Sequence, residues 1–401
     1  MNVAIIGGGA SGFFAALSVK EHHPDAHVTI YEKSKKLLSK VKISGGGRCN
    51  VTNGEQDIVT LSKAYPRGQK KLKNAFHEFS TQHTMDWFEK RGIGLVTQDD
   101  GCVFPVSQDS QTIIDCFLSE SERLGITIKT SCGVKAIHPS EDSIELDFGE
   151  WKKSFDKAIV ATGGTPARRG MNWLEEIAMD IEDPVPSLFT FNMPDEDITT
   201  LMGVVVKEAQ TNIQGTKLKG DGPLLITHWG MSGPAILKLS AFGARILSEK
   251  EYKFAVQINW VNEANNERVG EEIRSIIESE SQKILSNYRP YLLPTRLWNF
   301  LIERCGLSLR TKWGQIGKKG VNKIVNVLTN DVYQVRGKTT FKEEFVTCGG
   351  VSLKSIDFKK MSSRTYPHLY FAGEILDVDG ITGGYNFQSA WTTGYIAGRL
   401  G

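Results

Sequence analysis

The chain has 401 residues, of which 40% are hydrophobic and 23% charged, and its formal net charge is +2. This length suggests two or three domains, and the near-neutral charge gives no overall sign of a nucleic-acid partner or an anionic membrane surface. The six cysteines have neither C-x-x-C spacing nor a metal-ligand pattern with histidines, so we predict no metal site and a reduced, cytoplasmic protein. No apolar run approaches the roughly 20 residues that a membrane span needs, so we predict no membrane partner.

The first 32 residues carry a strand–turn–helix–strand pattern. It consists of the apolar run Asn2–Ile6, the turn "GGGASG", a run with helical spacing from Ala10, and a second apolar run, His27–Tyr31. Gly7 permits a tight turn, Gly9 lets the backbone approach a pyrophosphate, and Gly12 lets the helix pack on the strand. The unpaired N–H groups and the positive dipole end at the helix N-terminus favour the binding of a phosphate group. Glu32 follows the second strand, where a carboxylate accepts hydrogen bonds from a ribose.

The next segment contains the glycine-rich stretch "KVKISGGGRCNVTN". Its three consecutive glycines indicate a loop whose backbone lies against the dinucleotide cofactor that the strand–turn–helix–strand pattern predicts. Arg48 is either a phosphate or ring partner or a member of a structural salt bridge. Cys49 has no partner cysteine nearby, so we interpret it as a small residue beside the ring and not as a redox thiol. The basic runs Lys33–Lys42 and Arg67–Asn74 are either solvated or bind the phosphates of a nicotinamide nucleotide.

Two further strands are predicted before residue 165. Cys132–His138 is the first, and the backbone of Val134 is a candidate contact for an adenine edge, or else Val134 is a core residue. The second is the run "KAIVATGG", Lys157–Gly164, typical of a strand that leaves an FAD-binding domain. Both strands are expected to belong to residues 1–188.

An insert is expected from residue 189 to residue 342. Strand-like runs come first and helix-like runs follow from about 262 to 330, which favours an α+β domain over further βαβ units. Within "LLITHWGMSGPAILKLSA", we expect Ser232 to cap the helix that begins near Pro234. His228 is the candidate acid–base residue because imidazole titrates near neutral pH, although a packing role is an alternative. We also consider Ser232 a candidate catalytic residue.

The C-terminal segment, residues 343–401, distinguishes FAD from NAD. The apolar run "LYFAG" is followed by "GITGGYNFQSAWTTGYIAG", which begins rich in glycine and continues as a helix. A strand and helix that return to the N-terminal sheet suit a two-lobed FAD domain. The helix N-terminus would there stabilise negative charge on the reduced ring.

With these motifs in order, the chain resembles the BaiN-like (YhiN-like) bacterial flavoproteins, also described as aminoacetone-oxidase-family FAD-binding enzymes. The motifs that carry the resemblance are "IIGGGASG", "KISGGGRCNVTN", "DGCVFPVS", "ATGG", "LLITHWGMSGPAILKLSA", "FVTCGGVSL" and "LYFAGEILDVDGITGGYNFQSAW". The resemblance implies an α/β, Rossmann-like FAD-binding domain interrupted by a β-barrel-like part and a helical bundle. One departure is Cys102, which stands where the family usually has arginine, and we assign it no role.

These inferences define a set of predicted site residues. The cofactor-binding residues are Gly7, Gly9, Ala10, Ser11, Gly12, Glu32, Lys33, Lys40, Ser44, Gly45, Gly46, Arg48, Cys49, Asn50, Val134, Ala161, Thr162, Gly163, Gly373, Glu374, Asp377, Gly383, Gly384, Tyr385 and Asn386. The catalytic candidates are His228 and Ser232.

We therefore predict an FAD-dependent oxidoreductase that transfers a hydride through flavin N5 to or from a small organic substrate. NAD(P)H is a candidate transient reductant, and oxygen is a candidate acceptor. A fumarate-reductase-like enzyme and a structural or sensing flavoprotein without turnover are the alternatives. A small molecule is the expected partner, nucleic acid is not expected, and the oligomeric state is left open.

Overall fold

The computed structural model describes residues 1–339 and 346–401. The chain forms two compact units. The first comprises Met1–Ser187 together with residues 346–401, and the second comprises residues 188–339. The boundary that we expected between residues 342 and 343 lies outside the described residues. In the described part, no helix is both long and apolar enough to cross a membrane.

The first unit begins with a mixed series of strands and helices. In chain order these are β1 (Asn2–Ile6), α1 (Ala10–His22), β2 (His27–Tyr31), α2 (Ser39–Gly47), β3 (Thr52–Asn53), α3 (Ile58–Lys63), α4 (Gln69–Ala75), α5 (Thr81–Glu89), β4 (Leu95–Thr97), β5 (Cys102–Pro105), α6 (Ser110–Arg123), β6 (Thr127–Lys129), β7 (Ala136–Pro139), β8 (Ile144–Asp147), β9 (Lys152–Phe155), β10 (Lys157–Val160), α7 (Asn172–Glu175) and β11 (Ile181–Pro186).

The second unit follows directly. Its elements are β12 (Thr190–Asn192), β13 (Val205–Ile213), β14 (Lys219–Thr227), β15 (Gly230–Ser232), α8 (Pro234–Glu249), β16 (Lys253–Asn259), α9 (Asn266–Ser279), α10 (Thr295–Arg304), α11 (Gly317–Thr329), β17 (Asp331–Arg336) and β18 (Lys338–Thr339).

The chain then returns to the first unit. The returning elements are β19 (Thr347–Val351), β20 (Ile356–Asp357), β21 (Ser362–Ser363), β22 (Leu369–Phe371) and α12 (Tyr385–Gly398).

The main sheet of the first unit has the order β20-β21-β22-β10-β1-β2-β6. The strands from β22 to β6 pair in parallel, and β1 lies between β10 and β2. Residues 3–6 of β1 are buried, as expected for a parallel strand covered on both faces. The C-terminal segment therefore supplies one of the parallel strands beside β10.

Helices α1 and α12 pack closely because small residues line their contact. A Cβ added to Gly394 would lie 2.9 Å from the carbonyl oxygen of Ser11, and one added to Gly398 would lie 2.6 Å from that of Ala15. Larger side chains at these two glycines would force the helices apart. The contact holds the C-terminal helix against the helix that follows the first turn.

The second unit contains a sheet that closes on itself. Its order is β17-β16-β13-β14-β15-β12-β18, and β17 and β18 are one strand interrupted at Gly337. The Gly337 N–H donates to Tyr252 on one side (2.8 Å), and its carbonyl accepts from the Asn192 N–H on the other (3.0 Å). This strand therefore joins both ends of the sheet, which gives the barrel-like part predicted from the sequence. Helices α9, α10 and α11 form the helical part.

One predicted strand is wrong over half of its length. The strand expected at Cys132–His138 begins only at Ala136, and it pairs with β8 in a separate antiparallel sheet. The reason is local: the Ser131 N–H donates to the Ser34 carbonyl and the Cys132 N–H to the Glu32 carbonyl. Because these two N–H groups bond to the loop after β2, they do not pair with a strand, and residues 132–135 before β7 have an irregular backbone.

Candidate functional site

The turn between β1 and α1 leaves space beside one glycine only. A Cβ on Gly12 would overlap the carbonyl oxygen of Gly7, and a Cβ on Gly7 would overlap that of Ala161. A Cβ on Gly9, in contrast, would meet no heavy atom within 4 Å. Gly7 and Gly12 therefore serve the packing of strand and helix, whereas Gly9 faces open space at the N-terminus of α1, where Ala10 and Ser11 begin the helix.

Glu32 holds this turn through both carboxylate oxygens. Oε2 accepts from the Gly8 N–H (2.9 Å), and Oε1 accepts from the Ser34 N–H (2.8 Å). Each oxygen retains a lone pair for a hydroxyl donor. The adjacent Lys33 is exposed.

The glycine-rich stretch interrupts α2 with non-helical backbone, in line with the loop expected from its three glycines. Helix α2 extends to Gly47, but Ser44 has an extended backbone, and Gly45 and Gly46 are left-handed, with φ of 58° and 69°. A Cβ on Gly45 would lie 2.8 Å from the Phe104 ring, whereas one on Gly46 would meet nothing within 4 Å. The interruption therefore exposes backbone at Gly46, because left-handed geometry is readily adopted by glycine.

Arg48 is held without a described carboxylate partner. Its Nε donates to the Gly45 carbonyl (3.1 Å), its Nη1 donates to the Gln108 amide (3.2 Å), and its guanidinium lies 4.1 Å from the centre of the Phe104 ring. The structural salt bridge considered from the sequence is therefore not formed among the described residues. The arginine keeps an unneutralised charge beside the glycines.

Cys49 is buried and neutral. Its backbone is left-handed, with φ of 62°, and its N–H donates to the Ser44 carbonyl (2.9 Å). Burial raises the pKa of its thiol to about 12. Since the thiolate is the reactive form, this residue is poorly suited to redox chemistry near neutral pH.

The N-terminus of α12 lies against the segment that follows the glycine-rich stretch. A Cβ on Gly384, the residue that precedes the helix, would overlap the carbonyl oxygen of Thr52. The Asn53 amide donates to the Gly383 carbonyl (3.1 Å), and the Asn50 side chain accepts from the Val103 N–H (3.2 Å). Residues separated by more than 300 positions in the sequence thus share one small region.

The first helical residues of α12 are fixed from the other side. The Tyr65 hydroxyl donates to the Tyr385 carbonyl (2.7 Å), and the Asn386 side chain both accepts from the Gly380 N–H and donates to its carbonyl (2.8 and 2.9 Å). Asp377 lies earlier in this loop, where its N–H donates to Val351 (3.0 Å). These bonds fix the direction of the helix N-terminus.

A second contact joins the helix after β2 to the C-terminal strand. Lys40 Nζ lies 2.5 Å from Glu374 Oε2, and Glu374 Oε1 accepts from the Thr347 N–H (2.8 Å). The neighbouring Gly373 lacks a side chain because a Cβ there would overlap the Ser11 hydroxyl. The structure therefore brings these predicted residues together.

Other predicted residues lie near the end of β10 or away from these contacts. Ala161 is buried at the end of β10, Thr162 is exposed, and Gly163 has φ of 75° with open space where a Cβ would stand. Val134 lies half-buried in the irregular segment before β7. The apolar side chain of Val134 has no hydrogen-bonding group with which to join the other predicted residues.

The two catalytic candidates belong to the second unit, whereas every predicted cofactor-binding residue belongs to the first. His228 is exposed after β14, with its ring 4.3 Å from that of Trp229 between centroids. Ser232 is the last residue of β15 and does not cap α8, whose N-cap is Gly233. The predicted cap is wrong because the strand pairing with Leu225 continues through Ser232.

Sequence reasoning missed a buried ion pair in the loop before α12. Arg67 donates to both carboxylate oxygens of Asp379, which is fully buried, and the Ser187 hydroxyl also bonds this carboxylate. Burial raises the pKa of Asp379, against the opposing effect of Arg67. Arg67 had been assigned to a solvated or phosphate-binding run, and no short-range signal connects it with a residue 312 positions away.

A buried polar cluster was also missed. The Gln388 side chain accepts from the hydroxyls of Thr52 (2.5 Å) and Thr84 (2.9 Å), and it donates to Thr392 (3.0 Å). Gln388 has no exposed surface. The cluster fixes α12 against β3 and α5.

The arrangement as a whole suits an extended anionic ligand. The backbone is open at Gly9, Gly46 and Gly163, two helix N-termini supply N–H groups, and Arg48 supplies positive charge. Among the described residues, no cluster of His, Cys, Asp or Glu has the form of a metal site.

Comparisons with known proteins agree with this geometry. The family model described as "HI0933-like protein Rossmann domain" matches residues 1–400. The chain is 29% identical over 98% of its length to a ribosomal RNA dihydrouridine synthase of Haemophilus influenzae, covering 96% of that protein. It is 25% identical over 99% of its length to a 3-dehydro-bile acid delta(4,6)-reductase of Clostridium scindens, covering 98% of that protein.

A solved structure shares the fold. The open conformation of a flavocytochrome c3 fumarate reductase aligns with 100% of this chain and 77% of its own, at 15% identity and a TM-score of 0.51. The predicted Rossmann-like fold class and the prediction of an FAD-dependent oxidoreductase are confirmed. The chain belongs to the HI0933-like family.

Proposed function

We propose that this oxidoreductase reduces a carbon–carbon double bond that is conjugated to a carbonyl group. The observation that carries the proposal is the similarity, over nearly the whole chain, to two reductive enzymes with different substrates. Dihydrouridine forms when the C5–C6 bond of uridine, conjugated to the C4 carbonyl, gains two hydrogens. A 3-oxo-Δ4,6 steroid has the same type of activated bond. The two relatives therefore share one class of reaction, the reduction of a double bond conjugated to a carbonyl group.

We further propose that the first unit holds FAD. The open space at Gly9 and the N-terminus of α1 suit the pyrophosphate, and the free lone pairs of Glu32 suit the adenosine ribose. The N-terminus of α12, after Gly384, suits the negative edge of the reduced ring. Bound FAD supplies a two-electron carrier that gives hydride to an electron-poor carbon. We propose that the other predicted cofactor-binding residues near these positions also contact FAD.

For the substrate, uridine in ribosomal RNA is the first candidate. It is supported by the relatives named ribosomal RNA dihydrouridine synthase and by a strongly basic part of the second unit. The competing candidate is the small organic molecule that we predicted from the sequence, without nucleic acid, and the bile acid reductase supports it. The overall charge of +2 that argued against RNA is an average over regions of opposite sign.

NAD(P)H is the proposed reductant, and we propose a cytoplasmic location. The described residues include all six cysteines and contain no disulfide, as suits a reducing compartment. A conjugated-bond reduction also needs a proton at the carbon next to the carbonyl. His228 remains our candidate donor, and Ser232 is the alternative.

The experiment that tests the reaction uses purified protein with FAD, NADH or NADPH, and ribosomal RNA free of dihydrouridine. Digestion to nucleosides and mass spectrometry detect the gain of two hydrogens on uridine. A 3-oxo-Δ4 steroid is assayed in parallel for loss of its conjugated absorbance. Reduction of neither substrate, with FAD bound and reducible, would contradict the proposed reaction class.

The proton donor is tested with His228→Gln. Loss of general acid catalysis lowers kcat by roughly 10²- to 10⁴-fold. The matched control is His77→Gln, which changes an exposed histidine of the first unit and leaves kcat unchanged. An unchanged kcat in His228→Gln would remove His228 from the proposal and direct attention to Ser232→Ala.

A further inference from the structure

Charge is distributed very unevenly within the second unit. Residues 281–339 contain eleven Lys and Arg but two Asp and Glu, a net charge of +9. Residues 263–280, which include α9, contain two basic and six acidic residues. The near-neutral charge of the whole chain therefore hides a strongly basic segment beside an acidic helix.

Part of this basic segment has no compensating charge. Lys283, Arg304 and Arg336 pair with carboxylates of Glu280, Asp331 and Asp195. Seven other basic side chains of this segment are exposed, and none is within ion-pair distance of a carboxylate among the described residues. Apart from Arg289 and Arg296, they are Arg310, Lys312, Lys318, Lys319 and Lys323, and we call these five the basic face.

The fold gathers these five side chains in one region. Lys319 and Lys323 are four residues apart on α11, so they lie on the same side of the helix. The Lys323 ammonium lies 3.5 Å from the position of a Cβ on Gly306, just after α10. Arg310 and Lys312 lie in the connection between these two elements, and this connection begins beside Lys323.

Helix α11 keeps this face directed to solvent. Its apolar residues Val321, Ile324 and Leu328 are buried in the core of the second unit. Lys318 and Lys319 follow Gly317 at the start of this 13-residue helix, where the unpaired N–H groups add positive potential. Like charges at this spacing repel each other, and a bound polyanion relieves that repulsion.

We propose that the basic face docks the phosphate backbone of the RNA substrate. This inference rests on the proposed reduction of uridine in ribosomal RNA. Several exposed, uncompensated cations on one surface are the electrostatic footprint of a nucleic-acid-binding protein. Their role is to bind phosphates and release counterions, independently of sequence. The basic face does not select the uridine that is reduced, and that selection depends on the residues around the reacting base.

The test replaces three lysines of α11. The variant Lys318→Gln/Lys319→Gln/Lys323→Gln is compared with a control of equal charge change on either side of β20 in the first unit, Lys354→Gln/Lys359→Gln/Lys360→Gln. Binding of ribosomal RNA is measured by filter retention from low to high salt. Flavin content and the rate of flavin reduction by NAD(P)H are measured for both variants.

We expect the α11 variant to bind ribosomal RNA about tenfold or more weakly at low salt. Its slope of log affinity against log salt becomes shallower by about 2, since each phosphate contact to a single strand contributes about 0.7. The control retains the wild-type affinity and slope, and both variants keep FAD and its reduction rate. Equal losses in the two triple variants would overturn the proposal, because the effect would then be one of overall charge.

Other outcomes separate the two proposals. If the α11 variant binds RNA like the wild type while the wild type forms dihydrouridine, the basic face is refuted and the proposed function stands. If the face binds RNA as expected but the wild type never forms dihydrouridine, the proposed function fails and the docking surface stands. Lysine-dependent binding to phosphatidylglycerol-containing vesicles that exceeds binding to RNA would overturn the assignment of RNA.

Discussion

Substitution of Gly9 by alanine tests whether the open space beside this residue is needed for a ligand or for the packing of the protein itself. A Cβ on Gly9 meets no heavy atom within 4 Å, and its φ of −98° is ordinary for any residue. In the apoprotein, Gly9→Ala lowers stability because glycine is a somewhat better N-cap residue than alanine. The same substitution raises stability because it reduces the entropy of the unfolded chain. These effects oppose each other and are each within about 1 kcal/mol. The free energy of unfolding of the apoprotein therefore changes by less than about 1 kcal/mol.

The same methyl group interferes with bound FAD. It occupies space that the pyrophosphate needs, and overpacking by one methyl group typically costs about 1–3 kcal/mol. At about 1.4 kcal/mol per tenfold change, FAD binds about 5- to 150-fold more weakly. Gly12→Ala differs, because its Cβ would overlap the Gly7 carbonyl, so the apoprotein itself is destabilised.

The assay measures both quantities on protein stripped of flavin. Urea denaturation gives the stability of each apoprotein, and titration with FAD, followed by quenching of flavin fluorescence, gives the Kd. Wild-type FAD affinity in Gly9→Ala would refute the proposed position of the pyrophosphate. A loss of apoprotein stability in Gly9→Ala equal to that in Gly12→Ala would refute the distinction between the two glycines.

Two further predictions concern buried groups of the first unit. Asp379→Asn removes the negative charge of the buried pair with Arg67 and lowers the free energy of unfolding by about 3–5 kcal/mol. Glu78→Gln, in an exposed pair, costs about 1 kcal/mol or less. Equal losses in urea denaturation would show that burial of the pair is unimportant. The pKa of Cys49 is raised to about 12 by burial, so its contribution to stability is complete below about pH 9 and is lost as pH rises towards 12. By pH 10 the wild type loses about 1 kcal/mol more than Cys49→Ala, relative to pH 7, and identical pH profiles in urea denaturation would contradict a neutral buried thiol.

Elements set by local pattern could be predicted from the sequence. The apolar run of β1, the three glycines after it and the returning segment of β22 and α12 each carry their signal within a few residues. The turn is only partly local, since Gly12 lies against the nearby Gly7 carbonyl, whereas Gly7 lies against the carbonyl of Ala161 at the end of β10. The fold class and the FAD-dependent oxidoreductase class followed from such signals and are confirmed.

Features formed by distant residues could not be predicted. Arg67 looks like one more residue of a basic run until the fold brings Asp379 to it. Gln388 looks like an ordinary helical residue until Thr52 and Thr84 surround it. The strand expected at Cys132 fails for the same reason, because its N–H donors bond to the loop after β2.

The net charge of the whole chain carries little information about individual surfaces. A net value of +2 averages the acidic residues near α9 with the basic residues after them, so it could not indicate a local surface. The distribution becomes informative only once the fold shows which cations are exposed and which are paired. The prediction that nucleic acid is not a partner rested on that average.

The most direct test of the central claim is anaerobic reoxidation of the flavin by substrate. The purified protein, loaded with FAD and reduced with dithionite, is mixed with ribosomal RNA that lacks dihydrouridine, and flavin absorbance is followed. We predict that the oxidised flavin spectrum returns as uridine gains two hydrogens, in equal amounts. A flavin that stays reduced with both this RNA and a 3-oxo-Δ4 steroid would contradict the claim that the protein reduces carbonyl-conjugated double bonds.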